Sequence, residues 1–225
     1  MWLDTDRGCR IPAFHIRRGR KLTLLVSHAN AEDLGIVLQY WSWLAEALQV
    51  ASRSHLGRIS TASRSHLGRI SAASWPHLAP PTAAQVDVFA YEYSGYGQST
   101  GGTPCEQNLY ADARAALTLL RDGFGLKPER DVVLYGKSLG SCPTSYLAGR
   151  NLVRGVIIVC GLASGARVIL PTTKMWVTDA LYFNNLGHLA GNKSPVQLVH
   201  GTEDEVRPSP QRPRSHVTTA EIAPR

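Results

Sequence analysis

The sequence has 225 residues and a formal net charge of +7 at pH 7, and 44% of its residues are hydrophobic. This length is sufficient for one α/β domain with its own core, and no apolar run approaches the roughly 20 residues that cross a bilayer. The excess positive charge lies in residues 50–85 and in the tail from Arg207, so the remainder is close to neutral and offers no basic helix for nucleic acid.

The cysteines and the first residues of the chain indicate the cellular compartment in which the protein is expected. The four cysteines are scattered without a C-x-x-C pair, which is typical of a reducing environment and predicts neither a disulfide framework nor a zinc site. The first three residues, MWL, are followed at once by charged residues, so no secretory leader is expected. We therefore expect a cytoplasmic protein with no transmembrane segment, no metal and no cofactor.

The first elements along the chain are β-like. Two short pieces around a glycine turn within residues 3–20 predict a small antiparallel hairpin at a sheet edge. Residues 21–27, KLTLLVS, form a continuous apolar run that is typical of a buried strand. After a loop of small residues, apolar residues recur with a 3.6 period from Leu34 to Leu48 and predict a helix.

The sequence changes character between residues 50 and 85. Residues 51–61 and 62–72 are two near-identical copies of an eleven-residue unit, ASRSHLGRIST and ASRSHLGRISA, and residues 73–83 are a degraded third copy. Each clean copy offers only Leu and Ile as large apolar residues, which is too few for a solenoid. We predict a disordered insertion, and a basic or phosphorylatable docking segment is the alternative.

The next strand is predicted at residues 86–93, VDVFAYEY, and a glycine-rich loop over residues 94–102 follows it. Thr100 occupies the position at which a dinucleotide-binding motif requires its third glycine, so we expect this loop in the floor of a site and not around a cofactor. Apolar residues at helical spacing from Leu109 to Leu120 then predict a helix that ends at Gly123.

The strongest functional motif lies at the next strand. A short apolar strand leads into G-x-S-x-G, from Gly136 to Gly140, and a helix-like segment follows. Strand, tight turn and helix around a serine are the context of a nucleophile elbow, in which Ser138 adopts a strained backbone and the glycines allow close packing. A phosphate-binding P-loop is excluded because Asp131 stands where its first glycine is required. An ordinary serine in a strand-to-helix turn is the alternative.

Two further buried strands are predicted, at residues 155–160 and 195–200. The alternation of strands and helices predicts an α/β fold with a doubly wound, mainly parallel sheet. Asp204 follows the last of these strands, where the acid of a Ser–acid–His triad is expected, and a turn-capping aspartate is the alternative. Between these strands Trp176, Tyr182 and Phe183 form either a lid or acyl-binding surface, or simply part of the core.

Six motifs in order carry a resemblance. They are residues 4–8 (DTDRG), 27–35 (SHANAEDLG), 93–97 (YSGYG), 108–112 (NLYAD), 134–138 (LYGKS) and 200–206 (HGTEDEV). Together they resemble the α/β-hydrolase-domain-containing protein 17 family over about residues 3–206 apart from the insertion. That family consists of serine hydrolases that remove palmitate from cysteines of membrane-associated proteins.

The resemblance implies a domain organisation and a site. It implies an α/β-hydrolase domain over residues 1–206, which the insertion at 50–85 interrupts. The Pro/Arg-rich composition of residues 207–225 predicts a disordered tail. Ser138 would be the nucleophile and Asp204 the triad acid, and the backbone N–H groups of Asn30 and Leu139 would form the oxyanion hole. The implied substrate is an S-acylated protein or a small thioester or ester. The protein would reach it through peripheral contact with the cytosolic face of a membrane. The implied reaction uses no metal and no cofactor.

The chain also departs from the family pattern. It has Ala29 where the family loop has glycine, which adds a Cβ beside the oxyanion site. The family's cysteine-rich, lipid-modified N-terminal stretch is missing, so no lipid anchor is expected.

The triad base is the largest departure. In the family a histidine follows the acid after one more helix and strand; here His216 is the only histidine after Asp204 and the only candidate base. His28 and His200 are expected to be structural. A truncated chain of this kind predicts an exposed apolar sheet edge. The alternatives to an active thioesterase are an inactive hydrolase-fold protein and a hydrolase of small esters or peptides.

Overall fold

The computed structural model of the chain describes residues 1–19, 21–42, 86–162, 183–201 and 217–222. The strands in these ranges are β1 (Trp2–Asp4), β2 (Arg10–Ile16), β3 (Thr23–Ser27), β4 (Asp87–Tyr91), β5 (Val132–Lys137), β6 (Gly155–Val159), β7 (Val196–Gly201) and β8 (Val217–Ile222). The helices are α1, which begins at residue 34 and is described to residue 42, α2 (Glu106–Thr118), α3 (Pro128–Asp131), α4 (Ser141–Ala148) and α5 (Asn185–Ala190). None of these helices has the length and apolarity required to cross a membrane.

The described strands form one sheet in the order β1-β2-β4-β3-β5-β6-β7-β8, in which the run from β4 to β7 is parallel. This confirms the predicted α/β-hydrolase fold with a mainly parallel sheet. The first parallel strand along the chain, β3, lies between β4 and β5, so the chain winds first to one side and then to the other. In sheets of this kind a site forms at the carboxyl ends of the strands where the winding direction changes, which here is beside β3 and β5.

Helices cover both faces of the sheet. Alternate side chains of β3 point to opposite faces, so Leu24 and Val26 pack on the side of Trp41 in α1. Leu25 faces the opposite side, in the cluster that contains Ala113 of α2 and Leu147 of α4. All five residues of β3 are buried, as expected for its continuous apolar run.

The predicted N-terminal hairpin is confirmed. β1 and β2 pair antiparallel, with Leu3 opposite Ile11, and β2 continues the sheet by pairing antiparallel with β4. The hairpin therefore extends the parallel sheet on the side opposite β7.

The tail predicted to be disordered over residues 207–225 is corrected in part. Residues 217–222 form β8, which pairs antiparallel with β7 from Gly201 opposite Val217 to Val196 opposite Ile222. The segment VTTAEI contains four β-branched residues, which favour a strand, and β7 offers an edge that a strand can pair with. The edge of β7 that we expected to be exposed is therefore covered. Residues 50–85 and 207–216 lie outside the described residues.

Candidate active site

Ser138 lies in the turn between β5 and α4, and its backbone has a φ of 50°. A non-glycine residue rarely adopts such a positive φ, so the surroundings must hold it there. A Cβ at Gly136 would lie 2.5 Å from the Gly140 carbonyl oxygen, and a Cβ at Gly140 would lie 2.0 Å from the Ser27 carbonyl oxygen. Packing therefore requires both glycines of G-x-S-x-G, and the strained turn expected from the motif is present.

Ser141 anchors this turn to the neighbouring elements. Its side chain is buried, and its Oγ donates a hydrogen bond of 2.6 Å to the carbonyl oxygen of Ser138. The same Oγ accepts a bond of 3.0 Å from the Leu162 backbone N–H, just after β6. Asn185 of α5 donates from Nδ2 to the Leu162 carbonyl oxygen at 2.7 Å. The carbonyl of the strained residue is thus tied to the end of β6 and to α5.

The loop after β3 forms a closed turn from Ala29 to Glu32. The Glu32 N–H donates to the Ala29 carbonyl oxygen at 3.1 Å, and the Ala29 N–H donates to the Glu32 carboxylate at 3.0 Å. Asn30 lies between them, and its side-chain oxygen accepts a hydrogen bond from the Tyr96 hydroxyl. Within the described part of the chain the Asn30 backbone N–H has no backbone acceptor.

An ion pair joins this turn to the elbow. Glu32 Oε1 binds the Lys137 ammonium group, and Lys137 directly precedes Ser138. Burial alone would raise the pKa of Glu32, but the hydrogen bonds from Lys137 and from the Ala29 N–H, together with the Lys137 charge, outweigh it and lower the pKa below its ordinary value. The Glu32 carboxylate is therefore ionised and shared between the loop and the strand that carries the nucleophile.

The turn and the elbow lie against each other. The carbonyl oxygens of both Ser27 and His28 would contact a side chain at Gly140, at 2.0 and 2.8 Å from its Cβ. Asn30 and Leu139, the two residues predicted to form the oxyanion hole, line the same cleft. Their role as oxyanion donors remains a prediction.

His28 is held as a structural residue, as the sequence predicts. Its ring is buried and lies with Nε2 2.9 Å from Oε1 of Glu92, while Oε2 of Glu92 accepts the Leu34 N–H at 3.1 Å. The Tyr93 hydroxyl donates to the His28 carbonyl oxygen at 2.7 Å. Sequence analysis missed Glu92, although a carboxylate within the apolar run VDVFAYEY signals a buried group that needs partners.

A cleft of about 600 Å³ lies beside the elbow, within the range of about 300–1,000 Å³ that small-molecule sites occupy. Its lining comes from the loop after β3, the glycine-rich loop, the start of α2, the elbow and the segment just before α5. The lining residues are Asn30, Tyr93, Ser94, Tyr96, Pro104, Cys105, Glu106, Gln107, Leu109, Asp112, Leu139 and Phe183. The glycine-rich loop therefore contributes to the site, as expected.

Two carboxyl groups that sequence analysis did not single out lie in this lining. Asp112 is fully buried and accepts hydrogen bonds from the Ser94 N–H at 2.7 Å and from the Ser94 hydroxyl at 2.6 Å. Burial raises the pKa of Asp112 to about 6, although the bonds from Ser94 act in the opposite direction. Glu106 accepts the Tyr110 hydroxyl at 2.7 Å and the Phe183 N–H at 3.0 Å. The described lining of the cleft contains no Lys or Arg.

Phe183 is the one described residue of the predicted aromatic group. It lies in the cleft wall with a positive φ of 49°, and its backbone N–H is held by Glu106. The ring also packs against the core cluster, so both predicted roles, site surface and core packing, apply to it. Trp176 and Tyr182 lie outside the described residues.

The predicted acid and base, Asp204 and His216, lie outside the described residues. Val217, the first residue of β8, is opposite Gly201 at the carboxyl end of β7, on the sheet edge where the elbow lies. Of the histidines in the described ranges, His28 is bound to Glu92, and His188 lies on α5 with Nε2 3.2 Å from the Tyr110 hydroxyl. In those ranges no group of His, Cys, Asp or Glu has an arrangement suited to a metal ion.

Comparison with known proteins gives a consistent result. A family model described as alpha/beta hydrolase fold matches residues 57–214. The chain is 36% identical to alpha/beta hydrolase domain-containing protein 17B of Xenopus laevis and of Homo sapiens, over 90% of its own length and 57% of theirs. It thus spans little more than half the length of these curated relatives.

Solved structures with the same fold are more distant in sequence. An esterase from Pyrococcus furiosus matches with a TM-score of 0.58 at 14% identity, over 92% of this chain and 71% of the esterase. An alpha-beta serine hydrolase homologue from Coxiella burnetii matches with a TM-score of 0.52 at 14% identity, over 92% of this chain and 74% of the other. At this identity the likeness concerns the fold alone.

Proposed function

Because the chain belongs to the α/β-hydrolase family, we propose that it is a serine hydrolase that cleaves acyl thioesters or esters with Ser138 as nucleophile. One observation carries this proposal. Ser138 has a φ of 50° in the turn that leads into α4, between two glycine positions at which no side chain fits. Hydrolases of this fold use such a turn to expose a serine hydroxyl at the carboxyl edge of the sheet.

In the proposed reaction the Ser138 oxygen attacks the acyl carbonyl carbon while a histidine, oriented by Asp204, takes the hydroxyl proton. The backbone N–H groups of Asn30 and Leu139 stabilise the oxyanion that forms. The thiol or alcohol leaves with the proton from the histidine. Water then attacks the acyl-enzyme with the same histidine as base, and this releases the carboxylic acid and restores Ser138.

For the histidine we propose His216. Support comes from the register of β8, whose first residue is paired with Gly201 at the sheet edge that carries the elbow. β8 therefore begins at the edge at which the triad must assemble, and His216 directly precedes β8 in sequence. His28 is a weaker candidate because its ring is buried against Glu92.

For the substrate we propose an S-acylated protein, such as a palmitoylated one, reached at the cytosolic face of a membrane. The motifs shared with the protein 17 family support this class. The cleft adds a physical argument, because two carboxyl groups and no basic residue in its described lining favour a neutral acyl chain over an anionic one.

A fluorophosphonate probe tests the proposal, because it reacts only with an activated serine. We expect the full chain to be labelled at Ser138 and to release thiol from a palmitoyl-cysteine peptide. Ser138→Ala should abolish both, whereas Ser42→Ala, in α1 and outside the described cleft lining, should retain both. His216→Ala and Asp204→Ala should lower labelling by several orders of magnitude if they complete the triad.

A folded protein that is not labelled would favour the alternative, an inactive hydrolase-fold protein that binds its ligand without cleaving it. The observation behind this alternative is that His28, in the loop beside the elbow, and His188, on α5, contact other side chains, those of Glu92 and Tyr110. Labelling that survives His216→Ala would instead move the role of base to another residue.

A further inference from the structure

We propose that Glu32 and Lys137 are positioning residues for the oxyanion hole, in that their ion pair fixes the Ala29–Glu32 turn against the strand that carries the nucleophile. This inference rests on the proposed function, because it concerns the same site. Both residues lie in motifs that carry the resemblance, residues 27–35 and 134–138, but those motifs by themselves assign no role to either.

The first step is the position of the two residues in the sheet. Lys137 is the last residue of β5, and Glu32 lies in the loop after β3. β3 and β5 are adjacent parallel strands, with Ser27 paired to Gly136. The ion pair therefore spans the two carboxyl ends from which the predicted donors, Asn30 and Leu139, project.

The second step is the double use of the Glu32 carboxylate. One oxygen accepts the Ala29 N–H at 3.0 Å, and the other binds Lys137. The Glu32 N–H closes the turn on the Ala29 carbonyl oxygen at 3.1 Å. In such a turn the N–H of the second residue, here Asn30, takes no part in the closing hydrogen bond.

The third step concerns the other anchors of the loop, which come from Glu92, Tyr93, Tyr96 and the His28 ring. The Tyr93 hydroxyl and Glu92 hold the carbonyl oxygen and the ring of His28, respectively. Within the turn, Nδ1 of His28 lies 3.0 Å from the Ala29 carbonyl oxygen and the Tyr96 hydroxyl binds the Asn30 side chain, while the other described contacts are those of Glu32. The peptide between Ala29 and Asn30 is thus held by both His28 and Glu32, and Glu32 is in turn held by Lys137.

Glu32 accepts the Ala29 N–H and binds Lys137, and variants that affect these two interactions separately test this inference. Lys137→Met keeps the aliphatic stem and removes the charge, and Glu32→Gln keeps an acceptor for Ala29 and removes the charge. We expect each to lower the second-order rate of fluorophosphonate labelling by about tenfold, less than the about 100- to 1,000-fold that follows loss of an oxyanion donor. Glu32→Ala should cost more because it also removes the acceptor. Lys137→Arg should retain most of the rate.

Two comparisons distinguish positioning from simple stabilisation. The double variant Glu32→Gln with Lys137→Met should react no more slowly than either single variant, because both remove the same interaction. For the acyl substrate kcat should fall while KM stays within about twofold, as expected for an interaction made with the transition state. Arg130→Met is the matched control: it removes the ion pair with Asp131, 2.7 Å, at the opposite end of β5, and should leave the labelling rate unchanged.

The outcomes are distinct. A folded Lys137→Met protein that is labelled at the wild-type rate overturns the inference and leaves the proposed function intact. If the wild type is not labelled, the proposed function fails, and hydrogen exchange of a peptide covering residues 28–34 then decides. Faster exchange in Glu32→Gln and Lys137→Met, but not in Arg130→Met, supports the fixed turn, and equal exchange in all variants overturns it.

Discussion

Nε2 of His28 lies 2.9 Å from Oε1 of Glu92, and both side chains are almost completely removed from solvent. The same carboxylate accepts the backbone N–H groups of Tyr93 and Leu34, at 3.1 Å each. Glu92 thereby joins the end of β4, the loop after β3 and the start of α1. His28 directly precedes the Ala29–Glu32 turn, and its contact with Glu92 holds that loop in place.

Replacing Glu92 by alanine should therefore destabilise the fold strongly. Removing one partner of a buried, hydrogen-bonded pair typically costs about 3–5 kcal/mol, because the remaining donors lose their acceptor. Urea unfolding measures this cost as a change in the free energy of unfolding. Glu92→Gln, which retains an acceptor, should lose less, and a loss below about 1 kcal/mol for the alanine variant would contradict the assignment.

Gly140→Ala should prevent the elbow from forming. Its Cβ would lie 2.0 Å from the Ser27 carbonyl oxygen, which is backbone and cannot rotate away. We expect a loss of more than about 3 kcal/mol or no folded protein at all. Gly155→Ala is the control, since the nearest atom to its Cβ would be 3.8 Å away, and it should change the stability by less than about 1 kcal/mol. Comparable losses in the two variants would refute the steric argument.

Ser138→Gly should make the protein more stable and unreactive. Glycine adopts a φ of 50° without the strain that a Cβ imposes, so the free energy of unfolding should rise by about 1 kcal/mol. Ser138→Ala retains the Cβ and should show no such gain. Thermal unfolding of the two variants measures the difference, and equal stability would indicate that the turn is not strained.

Asp112 should make stability depend on pH in a defined direction. Its pKa is about 6 in the folded protein against an ordinary 3.8, so the folded state holds this proton more tightly than the unfolded chain. The stabilising contribution is fully present below about pH 4 and is lost as the pH rises through about 6; it amounts to at most about 3 kcal/mol.

Asp112→Asn isolates this contribution. Asparagine can accept the Ser94 N–H and bond the Ser94 hydroxyl, but it does not titrate. The difference in unfolding free energy between wild type and variant should therefore change between pH 4 and pH 7, with the wild type losing stability relative to the variant as the pH rises. A difference that is constant over this range would contradict the raised pKa.

Sequence patterns predicted much of the fold because its signals are local. Continuous apolar runs marked β3, β5 and β6, and the period of apolar residues marked α2. The glycines around Ser138 indicated a tight turn, and the positive φ of Ser138 shows that turn. Each of these inferences depends only on residues that are neighbours in sequence, and the structure contains each of the predicted elements.

The parts that were missed depend on partners distant in sequence. Nothing near Glu92 identifies His28 as its partner, and nothing near Lys137 identifies Glu32. β8 was expected to be disordered because the preceding residues are rich in Pro and Arg, yet its pairing with β7 is a property of the sheet edge. The assignments of Asp204 and His216 remain predictions.

The position of β3 between β4 and β5 has a consequence for folding. The turn that holds Asn30 and the turn that holds Ser138 become neighbours only when Ser27 pairs with Gly136, a contact between residues far apart in sequence. Such non-local pairings form slowly, because the chain loses the entropy of closing a long loop before the stabilising contacts form. Reactivity of Ser138 during refolding would therefore report the moment at which the centre of the sheet is completed, and not the earlier appearance of its helices.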